Sequence, residues 1–353
     1  MENWENWGLV IVALSAIYVV VVFIMNRFFP HGNKAQILNH PPSLPEELDA
    51  TLSLTCWNIG YGGLGEESDF ITDGGKNRLP PSPRTVKKNL NGILAQLRIF
   101  KNQSAPHVFL LQEVSKRSPL SFWQPVRGAI ISLFADHFVT FRPDISTRGL
   151  PWPIAINHGT MTLAPAHPQQ TQVIRLPTEP TFLAGLIKRN YGLLVTRFAI
   201  KNSPPQWVIV NLHLAAFDPK GATRYKQLEQ VFDFARSEYE KGNFVIMGGD
   251  WNMALARSDF PHTTNLKQLF WLVDLPRTLL PKGWKIACDA TTPTVRTNYQ
   301  PYVAGENYTG IIDGFIISPN VSLHAIHTTD TKFIHTDHMP VTATFSTNPT
   351  PKG

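Results

Sequence analysis

Apolar positions fall along the chain in two rhythms, separated by a stretch with none. The first rhythm is unbroken: Gly8 to Met25 reads GLVIVALSAIYVVVVFIM, with Tyr18 its only ionisable side chain. Such a run approaches the ~20 apolar residues that a hydrocarbon core of ~30 Å requires, and a helix over it has no polar side to turn to water. Trp4, Trp7, Phe28 and Phe29 flank it where interfacial aromatics sit. Glu2 and Glu5 occupy the place of a leader's basic residues, and Asn26-Arg27-Phe28-Phe29-Pro30 offers no small-residue cleavage site. Residues 1–26 therefore read as a single-pass membrane anchor that is retained, not a cleaved signal. Arg27 and Lys34 follow the run while only acids precede it, which by the positive-inside rule turns the carboxyl-terminal bulk toward the cytoplasm.

Residues 27–50, ending HPPSLPEELDA, are polar and punctuated by proline without sustained period, and read as a linker. The second rhythm then occupies residues 51–347, ahead of a short tail at 348–353. Short β-rich runs recur at 52–59, 107–114, 137–142, 158–164, 171–176, 193–200, 207–214, 243–250, 310–318 and 340–345. Between them, Ser82 to Phe100 places Val86, Leu90, Ile93, Leu94 and Leu97 on one helical stripe, and Gly221 to Tyr239 does the same with Leu228, Val231, Phe232 and Ala235. So many strands exceed one open sheet. Wholly apolar runs such as VIVNL and NFVIM belong to strands covered on both faces, so the pattern predicts an α/β fold of two packed sheets with helices outside. No internal repeat interrupts it.

Composition sharpens this picture by exclusion. Hydrophobic residues are 43% and charged residues 16% of the chain, against about 25% charged in an ordinary domain, which excludes a disordered or coiled-coil chain. Twenty-nine prolines argue for many short elements and against a helical bundle. With 2 cysteines and no CxxC, neither a disulfide scaffold nor structural zinc fits. The net charge is +6, and because residues 1–26 hold two acids and no base, the remainder is more basic still. Such a surface attracts phosphate-rich partners, nucleic acid or anionic lipid headgroups. No feature points to a protein partner.

Gly60-Tyr-Gly62-Gly63-Leu-Gly65 follows a strand and matches G-x-G-x-x-G. A dinucleotide site needs a helix opening at the last glycine, yet Glu66, Glu67, Ser68 and Asp69 follow and the first helical stripe begins only near Ser82. The loop reads instead as a glycine segment beside a substrate groove. Polar residues at strand ends carry the chemistry. Glu113 closes LLQEV, Asp250 and Asn252 close IMGGDWN, Asp313 breaks IIDGFII, and Asp337-His338 precede the final strand. Carboxylates gathered at one sheet edge repel unless a cation stands among them, and hard oxygen ligands select Mg²⁺, Mn²⁺ or Ca²⁺.

Trp57-Asn58-Ile59-Gly60, Gln112-Glu113-Val114, Asn211-Leu212-His213-Leu214, Gly249-Asp250-Trp251-Asn252, Asp313-Gly314-Phe315 and Thr336-Asp337-His338 follow in that order. Over residues 52–346 this set resembles the endonuclease/exonuclease/phosphatase family, also called DNase I-like. The resemblance implies a four-layer αββα sandwich with two central mixed β-sheets. It implies a divalent-metal-dependent phosphoesterase using Mg²⁺ (or Mn²⁺), with Glu113, Asn58 and Asp337 toward the metal. By the same resemblance Asp250 orients or deprotonates the attacking water, Asn252 holds a non-bridging oxygen and His213 contacts the phosphate. Asp313 pairs with His338 to keep it protonated against the developing negative charge.

Departures narrow the substrate. The turn continues Met253-Ala254 where inositol polyphosphate phosphatases carry a basic residue, and Ile312 and Gly314 flank Asp313 where abasic-site endonucleases carry Arg and Tyr. What remains is a phosphodiester of nucleic acid or of a phospholipid headgroup, the latter because secreted sphingomyelinases of the family share the Asn-x-His-Leu stretch. The competing reading is a membrane-tethered binding module of the same fold that has lost catalysis, although Glu113, Asp250 and His338 are all present.

Overall fold

The computed structural model describes residues 2–29, 32–103, 106–178, 189–216 and 218–348. Along the chain, α1 (Glu2–Phe28) is followed by β1 (Gln36–Asn39), β2 (Glu47–Leu48), β3 (Thr51–Asn58), α2 (Pro83–Lys101), β4 (His107–Ser115), α3 (Val126–Leu133), β5 (Phe138–Ser146) and β6 (Asn157–Ala164). Then come β7 (Gln170–Arg175), β8 (Gly192–Ile200), β9 (Ser203–His213), α4 (Ala222–Glu240), β10 (Phe244–Asp250), β11 (Lys285–Ala287), β12 (Val295–Arg296), β13 (Thr309–Gly310), β14 (Asp313–Ile317), β15 (Val321–Thr328) and β16 (Val341–Thr347).

One mixed sheet runs β1-β5-β6-β4-β3-β16-β15; the other runs β11-β14-β10-β9-β8-β2, with β7 also on β8. Each sheet has a parallel pair at its centre, β3 with β4 and β9 with β10. Between the sheets, Leu52, Leu54, Cys56, Val108 and Leu110 meet Trp207, Ile209, Phe244, Ile246, Phe315 and Ile317. Outside the first sheet, Trp57, Phe109 and Leu111 pack on Leu90, Ile93 and Leu97 of α2 and Ile130 of α3. Outside the second, Val208, Val210, Leu212, Val245 and Met247 pack on Leu228, Val231, Phe232 and Ala235 of α4. This is the four-layer αββα sandwich, with strands buried on both faces as their apolar runs predict.

α2 begins where Ser82 Oγ accepts the Thr85 amide at 3.1 Å and Pro83 opens the first turn. α1 holds a twenty-residue stretch, Trp7–Asn26, long and apolar enough to span a membrane, and only 6% of it is covered by the rest of the chain.

Several boundaries differ from the sequence reading. Within residues 27–50, expected as a linker, β1 pairs with β5 and β2 with β8, so much of this segment extends the edges of the two sheets. Two- and four-residue strands are too short for any periodicity to register. The run at 310–318 is divided: Thr309 and Gly310 pair with β12, and the second sheet is joined only from Asp313. β15 was missed because it is an edge strand whose central residues face solvent. From residue 349 onward the tail lies outside the described residues.

Candidate active site

Period-two alternation explains why polar side chains converge at one end of the sandwich. In β3 the residues facing the second sheet are Leu52, Leu54, Cys56 and, at the end, Asn58. The same stripe runs through Trp207 and Ile209 to Asn211 and His213 in β9, and through Phe244 and Ile246 to Asp250 in β10. In β14 it runs from Phe315 and Ile317 back to Asp313. Parallel pairing sets His213 beside Asp250, and antiparallel pairing sets Asp250 beside Asp313. The inter-sheet core thus ends in a polar layer.

Glu113 reaches the layer differently. Between Leu111 opposite Met161 and Val114 opposite Gly159 the β4–β6 register shifts, leaving Gln112 and Glu113 against Thr160 alone. Glu113 sits at φ +56° in this bulge, as does Asn252 at φ +50° in the turn after β10. Left-handed backbone at non-glycine residues costs of order 1–3 kcal/mol and clusters at functional sites. Gly249 precedes that turn at φ +143°, and a Cβ there would lie 2.1 Å from the Leu212 carbonyl oxygen.

A cleft of ≈ 320 Å³ opens on this layer. Asn58, Glu113, His213, Asp250, Asn252, Asp337 and His338 all line it; Asp313 does not, lying fully buried behind His338. His338 Nδ1 is 2.8 Å from Asp313 Oδ2, and its Nε2 is 3.8 Å from Asp250 Oδ2. Trp57 Nε1 donates to the His338 carbonyl at 3.0 Å and fixes its backbone. Burial by itself would strip a proton from His338, but Asp313 and Asp250 outweigh it and hold the imidazole well above its usual range. His213 behaves oppositely: burial, then the charges of Arg189 and His338, drive it well below that range, so it is neutral. Its Nε2 lies 3.5 Å from Asp250 Oδ2, which also accepts from Asn58 Nδ2 at 3.1 Å. Asp250 Oδ1 accepts the Asn252 amide at 2.9 Å, and Asn252 Nδ2 donates to Leu214 O at 2.9 Å.

The other end of the cleft is acidic. Glu113 Oε1 accepts from Tyr61 Oη at 2.8 Å and lies 3.4 Å from Arg189 Nη2. Burial nonetheless pushes Glu113 up to about 8, with Asp337 adding to the rise. Asp73, half-buried in the cleft wall, is pushed up to about 6 by burial and by Asp337. Asp337 accepts from Asn298 Nδ2 and, at 3.2 Å, from Thr336 Oγ1. Gly60 is needed here, since a Cβ would approach Asp337 Oδ1 to 2.9 Å. Hard oxygen donors whose charges are penalised by burial and by each other suit a divalent cation. Asp250, Asp313 and His338 also bring ligand atoms within 4.8 Å of one another, but a ligating histidine must be neutral and Asp313 keeps His338 charged. The Glu113 end is the better match.

Sequence reasoning missed Tyr61, Asp73, Asp144, Arg189 and Asn298. Asp144 lies 3.5 Å from Arg189 and 4.0 Å from His213 Nδ1; it closes the apolar run of β5 and bore the same strand-end signal as Asp250. Arg189 had no such signal. The glycine segment lines the cleft through Tyr61 and Leu64, with no helix opening at Gly65.

A two-sheet sandwich whose inner core ends in buried carboxylates and histidines is the architecture of hydrolytic phosphoesterases. A model of the Endonuclease/Exonuclease/phosphatase family matches residues 56–330, and the chain belongs to that family, whose members typically use divalent metals. Truncated Caenorhabditis elegans TDP2 aligns with 17% identity and a TM-score of 0.52, covering 85% of this chain and 100% of that one. The human Nocturnin catalytic domain with bound sulfate anion aligns with 14% identity and a TM-score of 0.50, covering 89% and 96%. The endonuclease/exonuclease/phosphatase from Bacteroides vulgatus aligns with 11% identity and a TM-score of 0.51, covering 84% and 99%. At these identities the likeness is one of fold. No curated protein matches the chain.

Proposed function

We propose that this chain is a membrane-anchored, Mg²⁺- or Mn²⁺-dependent phosphodiesterase acting on nucleic acid or on a phospholipid headgroup. The observation that carries the reading is the asymmetric cleft, in which one end holds a charged histidine and the other holds carboxylates short of a cation. Glu113, Asp337 and the Asn58 carboxamide would hold the metal. When bound, it supplies a Lewis acid to the phosphate and its leaving oxygen. Asp250 orients the attacking water and accepts its proton. Neutral His213, its Nε2 beside Asp250, donates to a non-bridging oxygen, and Asn252 fixes the turn that presents Asp250. His338, kept charged by Asp313, stabilises the negative charge that develops at phosphorus. Leu64, Phe70, Leu120, Ile145 and Trp271 give the rest of the wall an apolar character suited to a base or a lipid chain.

The test is a panel of plasmid DNA, RNA, sphingomyelin, phosphoinositides and a bis-aryl phosphodiester, each with and without EDTA. Metal-dependent hydrolysis of one member supports the reading. Binding without turnover in every case would favour the silent module, and activity undiminished in EDTA would end the metal assignment. Resistance of the full chain to carbonate extraction tests the anchor. A soluble form should begin ahead of Gln36, because a later start removes β1 from its sheet.

A further inference from the structure

Residues 147–156, the tip of the β5–β6 hairpin, read TRGLPWPIAI. Trp152 is 72% exposed and Ile154 52% exposed, two large apolar side chains presented together at one hairpin tip. Trp123 props the tip from beneath, its Nε1 donating to Pro153 O at 2.7 Å and its ring lying 6.4 Å from that of Trp152. The other side of the tip leans on α1. Asn26 Nδ2 donates to Arg148 O at 2.9 Å, Asn26 Oδ1 accepts the Arg148 amide at 2.8 Å, and Tyr18 Oη donates to Gly149 O. Val22 is buried beneath Gly149.

These contacts set a depth. Gly149 lies over Val22 and Met25, at most about 6 Å of helix inside Asn26, the end of the apolar stretch. If α1 spans the bilayer over Trp7–Asn26, whose 20 residues match a hydrocarbon core of ~30 Å, the contact at Gly149 lies just past the headgroups. Backbone groups there need partners within the protein, and Asn26 and Tyr18 satisfy three of them. The exposed residues at the base are basic, Arg148 in the hairpin and Lys116 and Arg117 just after β4, as at a surface meeting lipid phosphates.

We propose that this hairpin tip is a second membrane-inserting element, seated on the last turns of α1, that places Trp152 and Ile154 in the lipid of the leaflet nearest the sandwich. The proposal rests on α1 spanning the bilayer. Ser115 pairs with His158, so the hairpin projects from the sheet end at which β4 delivers Glu113, and Ile145 in its first strand lines the cleft. The insertion thus holds the cleft end of the sandwich against the membrane surface.

The test uses the full chain in nanodiscs of phosphatidylcholine and phosphatidylglycerol, with Cys288→Ser to remove the half-buried thiol. A fluorophore sensitive to polarity is attached at Trp152→Cys, at Ile17→Cys in the exposed face of α1, or at Leu323→Cys on β15, at the opposite edge and end of the sheet. Blue-shifted emission quenched by doxyl lipids and shielded from iodide at residues 17 and 152, with aqueous behaviour at 323, is the expected result. Protection at 17 with aqueous behaviour at 152 overturns the hairpin insertion while leaving the anchor intact. Aqueous behaviour at 17 overturns the anchor, and with it the depth argument. Because Trp152 is exposed, its replacement leaves folding unchanged, and protection at Ile154→Cys checks the result two residues further along the turn.

Discussion

At one end of the cleft Asp313 and Asp250 lie 2.8 and 3.8 Å from His338, and the imidazole is held charged. At the other, Glu113 has Tyr61 and Arg189 on a single oxygen and still rises to about 8 through burial, while Asp73 rises to about 6. Both ends gather carboxylates at the mouth of a hydrophobic core, where ionised groups are costly. The first carries its compensating cation as a side chain. The second sets Arg189 and Arg296 against Glu113, Asp73 and Asp337, a shortfall of positive charge that the proposed metal would fill. Proton inventory at one end and the proposed metal occupancy at the other are therefore separable variables.

The largest expected effect lies at the histidine end. His338→Ala should lower kcat by about 10²–10⁴-fold, the usual range for a group that handles charge or protons in the transition state. Adding Asp313→Asn to it should cost little more, because the two act as one unit; multiplication of the two losses would break the pairing. Next is metal linkage at the acidic end. Mg²⁺ at about 100 times its Kd should stabilise the protein by about 2.7 kcal/mol, a rise in Tm that Glu113→Gln should largely remove. The same rise in the variant would relocate the metal.

A smaller effect separates the ends by pH. In the proposed mechanism His338 works charged, and its charged fraction falls as pH rises through its raised pKa. Without the Asp313 carboxylate that fall begins earlier, so Asp313→Asn should move the alkaline limb of the pH–rate profile to lower pH. Glu113 shows its linkage in stability instead, with the same sign because its pKa is also raised. Its folded pKa of about 8 lies above its ordinary 4.5, so in EDTA its ionisation destabilises the fold progressively between those values. Denaturation midpoints of Glu113→Gln should show a flatter decline over that window. The smallest effect is Tyr61→Phe, roughly 1 kcal/mol in metal binding by titration, since Arg189 still engages the same Glu113 oxygen.

Much of the histidine end was legible because it obeys alternation. His213 sits between Leu212 and Leu214 on the opposite parity, which marks it as facing away from the helix-covered side, and Asp313 and Asp250 end apolar runs in the same way. The acidic end was legible only in part. Glu113 leaves the alternation through a bulge, Asp73 lies in a turn without periodicity, and Arg189 precedes β8 with nothing to mark it. Strand edges were equally opaque, β1 and β2 being too short to carry a pattern.

Local chemistry along the chain determined the elements that local chemistry can determine: an apolar helix, strands buried on both faces, two amphipathic helices, and polar residues where apolar runs stop. Hydrophobic burial and side-chain period are properties of neighbouring residues, so they survive in one dimension. Which strand ends meet, that Asp313 stands behind His338 and not beside Glu113, and that residues 147–156 lie on α1 were decided by tertiary structure alone. Those pairings join positions dozens to hundreds of residues apart; the side-chain pattern fixes which face each strand buries, but which strands pair and where the bulges fall depends on backbone hydrogen bonds made only in the folded chain.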